Sequence, residues 1–261
     1  MNIVVCIKQV PETTNVKINS ATNTLIREGV KGIINPFDMY AIEEGLRIRE
    51  KFGGKVTAIS MGPPQAIEAL KEAVSYGVEG AVLLSDRAFA GADTLATSRT
   101  LAKGIKKIGP FDLIICGKQA IDGDTAQVGP GIAENLDIPF VAFVRKIREI
   151  NSHTLVVERM MDDGYDVVEI TLPALITVVK EINEPRMPSL KGKMKAKSID
   201  VPALGVTDLE ISEDKVGLKG SATQVIKIFT PQRGGRREIL GGSVETQVDL
   251  LINRLNDLKV I

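Results

Sequence analysis

One stretch decides the fold of this chain: residues 113–130, LIICGKQAIDGDTAQVGP. Its first four residues are apolar without a break, as in a strand that is buried on both faces of a sheet. A polar loop with glycines follows, and residues 125–136 then have helical periodicity, although Pro130 disturbs the first turn. Strand, loop and helix in this order are typical of a parallel sheet covered by helices.

The same order recurs on both sides of this stretch. Further continuous apolar runs lie at residues 3–10, 56–61, 81–84 and 174–179. Between them, helical periodicity predicts helices from Pro36, with Asn35 as its cap, to about residue 53, and over residues 65–76 and 94–108. We therefore predict an α/β fold, a largely parallel sheet with helices on both faces.

The pattern changes after Pro139. A turn at residues 162–165 predicts a hairpin, with strands at 141–150, 153–160 and 166–172. The remaining predictions are a basic loop at 183–197 with a short helix from Ser189, an irregular stretch at 198–220, a strand at 222–229, a turn at 233–242 and an amphipathic helix at 244–258. We expect one domain over residues 1–220 and a C-terminal arm over 221–261, whose helix is suited equally to docking on a partner and to docking on the core of its own chain.

Composition excludes several classes of function. Lys plus Arg and Asp plus Glu both number 33, so no charge imbalance indicates binding to nucleic acid or to an anionic membrane. No apolar run reaches the roughly 18 residues of a membrane span, and no leader is evident, so we expect a cytoplasmic protein without membrane insertion. Cys6 and Cys116 lie in apolar runs and are expected to be buried, reduced thiols. The chain has a single histidine, His153, which disfavours zinc chemistry and Ser-His-Asp hydrolysis because both rely on histidine side chains.

The loop that begins at Gly117 is the richest candidate site, because ligands bind at the carboxyl ends of parallel strands. Gly117 and Gly123 allow tight turns, and Thr125 is expected to cap a helix whose free N–H groups face a phosphate. Asp122 and Asp124 would repel a bare phosphate but suit ribose hydroxyls. A Mg²⁺ site on these two carboxylates is disfavoured, since no third acidic ligand or histidine lies near them in the sequence.

A second helix start follows Asp93, where the hydroxyls of Thr94 and Thr97 are available to pyrophosphate oxygens. Two helix N-termini at one sheet edge would hold a dinucleotide. Glycines and Asp or Thr caps also occur at ordinary strand-to-helix turns, so spacing alone leaves both interpretations open. No G-x-G-x-x-G or G-x-x-x-x-G-K-[ST] motif is present, which disfavours an ordinary Rossmann dehydrogenase and a P-loop NTPase.

The basic loop at 183–197 also has two interpretations. Its lysines, Lys191, Lys193, Lys195 and Lys197, have the pattern of a solvated face. Leu190 lies among them, and an exposed apolar residue within a charged collar is typical of a docking anchor.

The sequence closely resembles the electron-transfer flavoprotein beta subunit over essentially its whole length. The resemblance is carried by the signature Val157-Glu158-Arg159, Asp163-Gly164, residues 172–177, residues 183–186 and residues 194–197, and by residues 4–8, 35–38, 61–63 and 117–122. It implies an adenine-nucleotide-hydrolase-like α/β domain in a heterodimer whose alpha subunit carries an FAD.

By this resemblance, the beta subunit buries an adenine nucleotide, which is a structural AMP in the non-bifurcating branch. The matching positions are Cys6, Asn35, Pro36, Phe37, Asp38, Met61, Gln119, Ala120, Ile121, Asp122, Gly123, Asp124, Thr125, Ala126, Gln127, Val128 and Gly129. Leu190 corresponds to the anchor for an acyl-CoA dehydrogenase, and the C-terminal helix to the arm that packs on the alpha subunit. No residue is expected to be catalytic.

At two places the sequence departs from the pattern of the non-bifurcating branch and resembles the electron-bifurcating branch of the family. Residues 123–130 and 90–97 resemble that branch, in which a second FAD replaces AMP. This FAD accepts hydride from NADH and sends one electron to ferredoxin or flavodoxin and the other, through the alpha-subunit FAD, to an acyl-CoA-type dehydrogenase. Gly123 and the small residues Thr125 and Ala126 leave space for the larger cofactor. The alternatives are the AMP-binding carrier and, from another class, an ATP-cleaving hydrolase-like enzyme, which would need a Ser-Gly-Gly pyrophosphate loop that is absent.

Overall fold

A computed structural model of the chain describes residues 1–12, 32–226 and 237–261, with the backbone of the short strands at 18–19 and 24–25. The chain divides into two units, Met1–Ile226 and Lys227–Ile261. The predicted boundary at residue 220 and the predicted role of the arm stay predictions.

Thirteen strands and seven α-helices are assigned within the described residues. The strands are β1 (Asn2–Cys6), β2 (Gln9–Pro11), β3 (Ile18–Asn19), β4 (Thr24–Leu25), β5 (Gly32–Ile34), β6 (Lys55–Met61), β7 (Gly80–Leu84), β8 (Leu113–Gly117), β9 (Phe140–Ile150), β10 (Thr154–Met160), β11 (Tyr165–Thr171), β12 (Ala174–Val178) and β13 (Ala203–Leu204). The helices are α1 (Pro36–Phe52), α2 (Ile67–Tyr76), α3 (Thr94–Ile108), α4 (Val128–Leu136), α5 (Leu190–Ser198), α6 (Val206–Leu209) and α7 (Val244–Asp257).

A nine-stranded sheet organises the first unit, in the order β11-β10-β9-β12-β8-β1-β6-β7-β13. The seven strands from β9 to β13 along this order pair in parallel. Strands β10 and β11 continue the sheet as an antiparallel hairpin. The predicted α/β architecture with a largely parallel sheet and a hairpin is confirmed.

Helices cover both faces of this sheet, and each face has its own apolar core. One core joins α1, α2 and α5 to the sheet and contains Ile42, Leu46 and Leu70. The other joins α3, α4 and α6 to the opposite face and contains Leu101, Ile105 and Ile132. Because both faces are covered, the central strands are buried throughout, which explains their continuous apolar runs.

The order of the strands reverses between β1 and β8. From β1 the chain continues to β6 and β7 on one side, whereas β8 and β12 lie on the other. Ligands of open α/β sheets bind in the crevice outside the carboxyl ends of the strands at such a switch point. The polar loop after β8 therefore starts at the position that this topology favours for a ligand.

Several predicted details differ from the structure. The apolar run at 3–10 divides into β1 and β2, and residues 198–220 contain β13, α6 and a 3-10 turn, so they are not irregular throughout. Residues 222–226 form no strand, and residues 227–229 and 233–236 of two further predictions lie outside the described residues. His153 lies exposed in the turn before β10, not in the strand. The predicted helix at 125–136 begins only at Val128, because Pro130, which lacks an N–H, then falls within the first turn, where that donor is not needed.

The second unit contains α7, which matches the predicted terminal helix to within one residue. Its apolar side chains leave a stripe exposed: Val244, Val248, Leu251, Ile252 and Leu258. Arg254 pairs with Glu238 at 3.0 Å within the same unit. No helix in the described part of the chain is long and apolar enough to cross a membrane.

Candidate functional site

The floor of the crevice is formed by the two cysteines at the ends of β1 and β8. Cys6 and Cys116 are register partners on the neighbouring parallel strands, and both are buried, free thiols. A hydrogen bond with Cys6, together with burial, raises the pKa of the Cys116 thiol. A buried thiol that stays protonated is a poor nucleophile, so this cysteine has a structural role here.

Asn35 ties the start of α1 to the loop after β8. Its side-chain amide donates to Asp38 Oδ1 at 2.9 Å and to the Gln119 carbonyl at 2.8 Å, and its Oδ1 accepts from the Ile121 N–H at 3.1 Å. Asn35 occupies the N-cap position of α1, as predicted, but its side chain makes no capping hydrogen bond. Instead, Asn35 fixes the path of residues 119–121, which lie among the predicted cofactor ligands.

Asp38, which accepts a hydrogen bond from the Asn35 amide, is a buried acid. Its Oδ2 accepts the Lys8 N–H at 2.7 Å, and burial raises its pKa from 3.8 to about 7, against the opposing effect of its hydrogen bonds to Asn35 and Lys8. Gly117 passes directly over it: a Cβ at position 117 would collide with Asp38 Oδ1 and lie 2.7 Å from the Phe37 carbonyl carbon. The glycine is therefore required by this close approach of the two backbones.

The crevice loop, residues 117–127, turns through two residues with left-handed backbone. Asp124 and Ala126 have φ values of 53° and 54°, whereas Gly123 does not have a positive φ. The predicted tight turn at Gly123 is thus made by its neighbours, in a conformation that non-glycine residues seldom adopt. Such backbone conformations cluster at ligand-binding sites.

The acidic side chains of the crevice loop are already paired. Lys8 Nζ lies 2.6 Å from Asp122 Oδ1, and the side-chain amide of Gln119 donates to Asp124. These contacts reduce the repulsion that a nearby phosphate would otherwise meet. Lys8 was not predicted to contribute, because only the fold brings residues 8 and 122 together.

Two helix N-termini meet beside the crevice loop. The hydroxyl of Thr94, the first residue of α3, donates to Gln127 Oε1 at 3.2 Å, and Gln127 precedes α4. Helix α4 has no side-chain cap, and the N–H groups of Val128 and Gly129 donate to no described group. Thr125 does not cap this helix, which corrects the prediction. Free N–H groups at a helix start favour an anion such as a phosphate.

The α3 N-terminus is partly closed by Asp93. Its carboxylate accepts from the Ala96 N–H at 3.0 Å and from the Thr223 N–H and hydroxyl at 2.9 and 3.1 Å. Burial alone would raise the pKa of Asp93, but these donors outweigh it and lower the pKa. The carboxylate is therefore ionised and hydrogen-bonded. An anion that binds at the start of α3 would contact the helix at Thr94.

Lys118 and Phe143 line the crevice although neither was predicted. Lys118 Nζ lies 5.5 Å from the centre of the Phe143 ring and 6.0 Å from that of Phe37, and it has no ion-pair partner in the described chain. Phe143 has a φ of 60°, which is unusual for a bulky residue, and donates its N–H to Thr177 Oγ1 at 3.0 Å. This conformation depends on an irregular β9–β12 register, which no local sequence pattern indicates.

The other predicted ligands surround the same edge of the sheet. Pro36 begins α1, Met61 ends β6, Thr97 lies in the first turn of α3, and Ala120 accepts the N–H of Asp124 at 2.8 Å. Gly129 packs so closely on β12 that a Cβ would lie 2.6 Å from Thr177 Cγ2. Within the described residues, no three His, Cys, Asp or Glu side chains come together as a metal site.

Helix α5 begins at Leu190, the predicted docking anchor, and is called the docking helix below. The predicted helix is present and begins one residue after Ser189, which caps it by accepting the Gly192 N–H at 2.9 Å. Leu190 is 78% exposed, and Met187 and Met194, at 86% and 66%, are exposed close to it in the chain. Lysines flank these apolar side chains, which is the arrangement of a docking anchor within a polar rim.

The segment that leads into the docking helix is held by an ion-pair cluster on α1. Arg186 pairs with Glu43 at 2.8 Å and with Glu50 at 2.5 Å, and Arg47 also contacts Glu43 at 2.7 Å. Burial would raise the pKa of Glu43, which is only 4% exposed, but Arg186 and Arg47 outweigh it and lower the pKa. Asn183 adds bonds to the Tyr40 carbonyl and to Glu44, at 3.0 and 2.9 Å.

A groove of about 1100 Å³ runs along α2 and α5, lined among others by Gln65, Glu68, Lys193 and Lys197. It adjoins the docking helix and shares no lining residue with the crevice loop. Free donors and left-handed backbone turns occur together in the crevice loop and at the start of α4.

The chain is an α/β protein whose crevice opens at the switch point of a largely parallel sheet, where folds of this class bind ligands. Residues 22–209 match the electron transfer flavoprotein domain. The chain belongs to the electron transfer flavoprotein family, as its beta subunit, and a beta subunit implies an alpha-subunit partner.

Curated relatives cover the whole chain or nearly all of it. The electron transfer flavoprotein subunit beta of Thermoanaerobacterium thermosaccharolyticum is 54% identical over 262 residues, with all of both chains covered. That of Clostridium acetobutylicum is 48% identical, with 98% of each covered. The caffeyl-CoA reductase-Etf complex subunit CarD of Acetobacterium woodii is 47% identical, with all of both covered.

Proposed function

We propose that this chain is the beta subunit of an electron-bifurcating electron transfer flavoprotein and holds an FAD in the crevice between β1 and β8. NADH is the hydride donor. One electron goes to ferredoxin or flavodoxin, and the other goes through the FAD of the alpha subunit to an acyl-CoA-type dehydrogenase. The observation that carries the proposal is the pair of helix starts that meet at Thr94 and Gln127, beside the open side of the crevice loop.

The donors of the crevice fit the diphosphate of a dinucleotide. Helix α4 offers the free N–H groups of Val128 and Gly129, and α3 offers the N–H of Thr94, whose hydroxyl would turn from Gln127 Oε1 to a phosphate oxygen when the cofactor binds. Two such starts side by side suit two linked phosphates better than one. Asn35 and Asp38 hold the loop that these phosphates would approach, and the Lys8–Asp122 pair limits the negative charge there.

The space beside Gly123 supports FAD over AMP. A Cβ at this position would have no atom within 4 Å, so the loop leaves its outer side open. Ala126 has a left-handed φ of 54° and contributes only a methyl group to the loop. A longer cofactor can extend along this side without displacing a side chain.

When bound, FAD supplies hydride acceptance and one-electron transfer. The residues of this chain bind and orient it: Asn35 and Gly117 set the path of the loop, and the α3 and α4 starts receive phosphate oxygens. The exposed stripe of α7 supports an arm that packs on the alpha subunit. The exposed Leu190 supports docking of a dehydrogenase, and the name of the CarD relative, a caffeyl-CoA reductase-Etf complex subunit, supports a reductase that acts on a CoA derivative.

The proposal is tested by coupling in the purified heterodimer. NADH oxidation should require both a low-potential acceptor, ferredoxin or flavodoxin, and the dehydrogenase with its acyl-CoA-type substrate, with one electron recovered in each branch. Steady NADH oxidation with the dehydrogenase branch alone, and no reduction of ferredoxin or flavodoxin, would favour the AMP-binding carrier instead. The isolated chain should not hydrolyse ATP.

A further inference from the structure

The outer face of α3 carries a basic pocket that the nucleotide site does not use. Arg99, Lys103 and Lys106 project from one side of the helix at spacings of four and three residues, and Lys215 comes from the 3-10 turn at Glu213–Lys215. The pocket has a volume of about 210 Å³, and its other lining residues are Ala102, Asn135 and Ile211. Among the residues that the structure describes, no carboxylate lines it.

Within the described part of the chain, these four cations form no ion pair, whereas the neighbouring Lys107 and Lys219 do. Lys107 lies 3.7 Å from Glu210, and Lys219 lies 3.6 Å from Glu213. None of the four has a carboxylate within 4 Å among the described residues. Asp214 interacts with Lys215 electrostatically, but its main contact is a hydrogen bond from Ser212. A chain with equal numbers of acidic and basic residues therefore concentrates positive charge at one place.

The pocket has the features of a docking surface and not those of a small-anion site. The amide of Asn135 already donates to the Gly131 carbonyl at 2.7 Å, so it is not directed at a ligand. Lys103, Lys106 and Lys215 are exposed, and no buried donors converge on a point. From Arg99 to Lys106 the cations extend over roughly 10 Å of helix, at 1.5 Å per residue, which suits a spread of carboxylates on a protein surface.

The pocket is connected to the crevice by α3 itself. The helix begins at Thr94, whose hydroxyl contacts Gln127 of the crevice loop, and Arg99 follows about 7.5 Å along the axis. The pocket extends along α3 from about 7.5 Å (Arg99) to about 18 Å (Lys106) beyond Thr94, so a redox partner that binds there would contact the helix that begins at the crevice loop.

We infer that the basic pocket docks the small acidic redox protein that accepts the low-potential electron. This inference rests on the proposed function, which supplies the need for such an acceptor. Charge complementarity selects the partner: an acidic surface would neutralise the four unpaired cations, and exposed charges of this kind steer association and give it a strong dependence on salt.

The test is the binding of ferredoxin, and in parallel of flavodoxin, to the purified heterodimer at low and high ionic strength. The double variant Lys103→Gln/Lys106→Gln should weaken the Kd about tenfold at low salt and reduce its salt dependence. Lys107→Gln is the control: it removes one positive charge from the same helix outside the pocket, against two in the double variant, and it should change the Kd less than twofold. Cofactor content should stay that of the wild type in both variants.

Three outcomes would overturn the inference: wild type that binds neither acceptor, a double variant that binds like wild type, or equal weakening by the Lys107 control. A fourth is a double variant that loses binding of pyrophosphate, the small-anion probe, while acceptor binding is unchanged. Because the Kd is measured without turnover, it does not depend on the bound cofactor. A heterodimer with AMP that still binds the acceptor through this pocket would refute bifurcation and leave the docking surface standing.

Discussion

The crevice and the docking helix are two functional regions of one domain, and they are built in opposite ways. The crevice is held by buried polar contacts, with Asn35, Asp38 and Gly117 packed against one another. The docking helix keeps its apolar side chains in solvent and is fixed at its base by Arg186. One end of α1 supports the crevice, and its middle carries the carboxylates that hold the docking segment.

This difference reflects what each region recognises. A nucleotide is small and polar, so its site needs donors whose positions do not change. A partner protein buries apolar anchors on binding, so those anchors must be exposed beforehand while their base stays rigid. Substitutions in the crevice should therefore affect stability and cofactor content, whereas substitutions on the docking helix should affect partner kinetics alone.

Asp38→Asn should produce the largest effect, seen as a change in pH dependence. The folded-state pKa of Asp38 is raised to about 7, so the folded state holds the proton more tightly than the unfolded state. Binding of this proton contributes up to about 4 kcal/mol to the unfolding free energy. The contribution is complete below the unfolded-state pKa near 4, and it is lost as the pH rises through about 7. The variant should lack this loss in denaturant titrations of the heterodimer.

The comparison of wild type with Asp38→Asn at each pH removes the contributions of other groups. Glu43 has the opposite sign, because its lowered pKa makes stability fall as pH decreases. The unfolding free energy of the variant minus that of wild type should increase from pH 4 to pH 8. A difference that is constant over this range would show that Asp38 does not titrate there.

Asn35→Ala should have the next largest effect and lower the unfolding free energy by about 3 kcal/mol. It removes three hydrogen bonds and leaves part-buried partners unpaired. Bound nucleotide should also be lost, as measured in the purified heterodimer. Asn151→Ala is the control: its side chain also makes three hydrogen bonds, but in an exposed turn where water replaces them. Equal losses in the two variants would contradict the role given to Asn35.

Arg186→Gln should cost about 2 kcal/mol of stability, since the buried Glu43 loses one of its two guanidinium partners. The KM for the dehydrogenase should rise while cofactor content is unchanged. Arg47→Gln, which removes only the more exposed partner of Glu43, should have a smaller effect on both quantities. An unaltered KM in Arg186→Gln would show that the docking helix does not depend on this cluster.

Leu190→Ala should have the smallest effect on stability, within about 0.5 kcal/mol, because its side chain is mostly in solvent. Electron delivery to the dehydrogenase should weaken about tenfold in kcat/KM, as for truncation of an interface anchor. Flavin content should not change. Met161→Ala, at an exposed apolar residue in the hairpin turn, provides the control and should transfer electrons at the wild-type rate. Equal rates in Leu190→Ala and wild type would refute the anchor.

The sequence predicted the elements of the fold well, because buried parallel strands leave continuous apolar runs and the helices leave clear periodicity. Helix α3 was predicted with its observed bounds, and the hairpin was located to within a few residues. Short elements were not predicted. Strand β13 has two residues and, among the described strands, pairs only with β7, so its formation depends on a long-range contact. The start of α4 was placed too early because Thr125 resembles a cap locally.

The crevice was located by its loop, but its contacts were not predictable from local patterns. Lys8 reaches Asp122, and Asn35 reaches Gln119, across more than 80 residues of sequence in each case. Lys118 was not singled out although it follows Gly117 directly, since its aromatic neighbours come from α1 and β9. Spacing predicts which loops meet at a sheet edge, whereas the bonds between them depend on the tertiary structure.

The central claim, that the crevice holds FAD, is tested most directly by counting cofactors. The purified heterodimer is denatured, and the released FAD and AMP are quantified against protein. We predict two FAD and no AMP per heterodimer, one FAD from each subunit. One FAD together with one AMP would contradict the claim and identify the chain as the beta subunit of a non-bifurcating carrier.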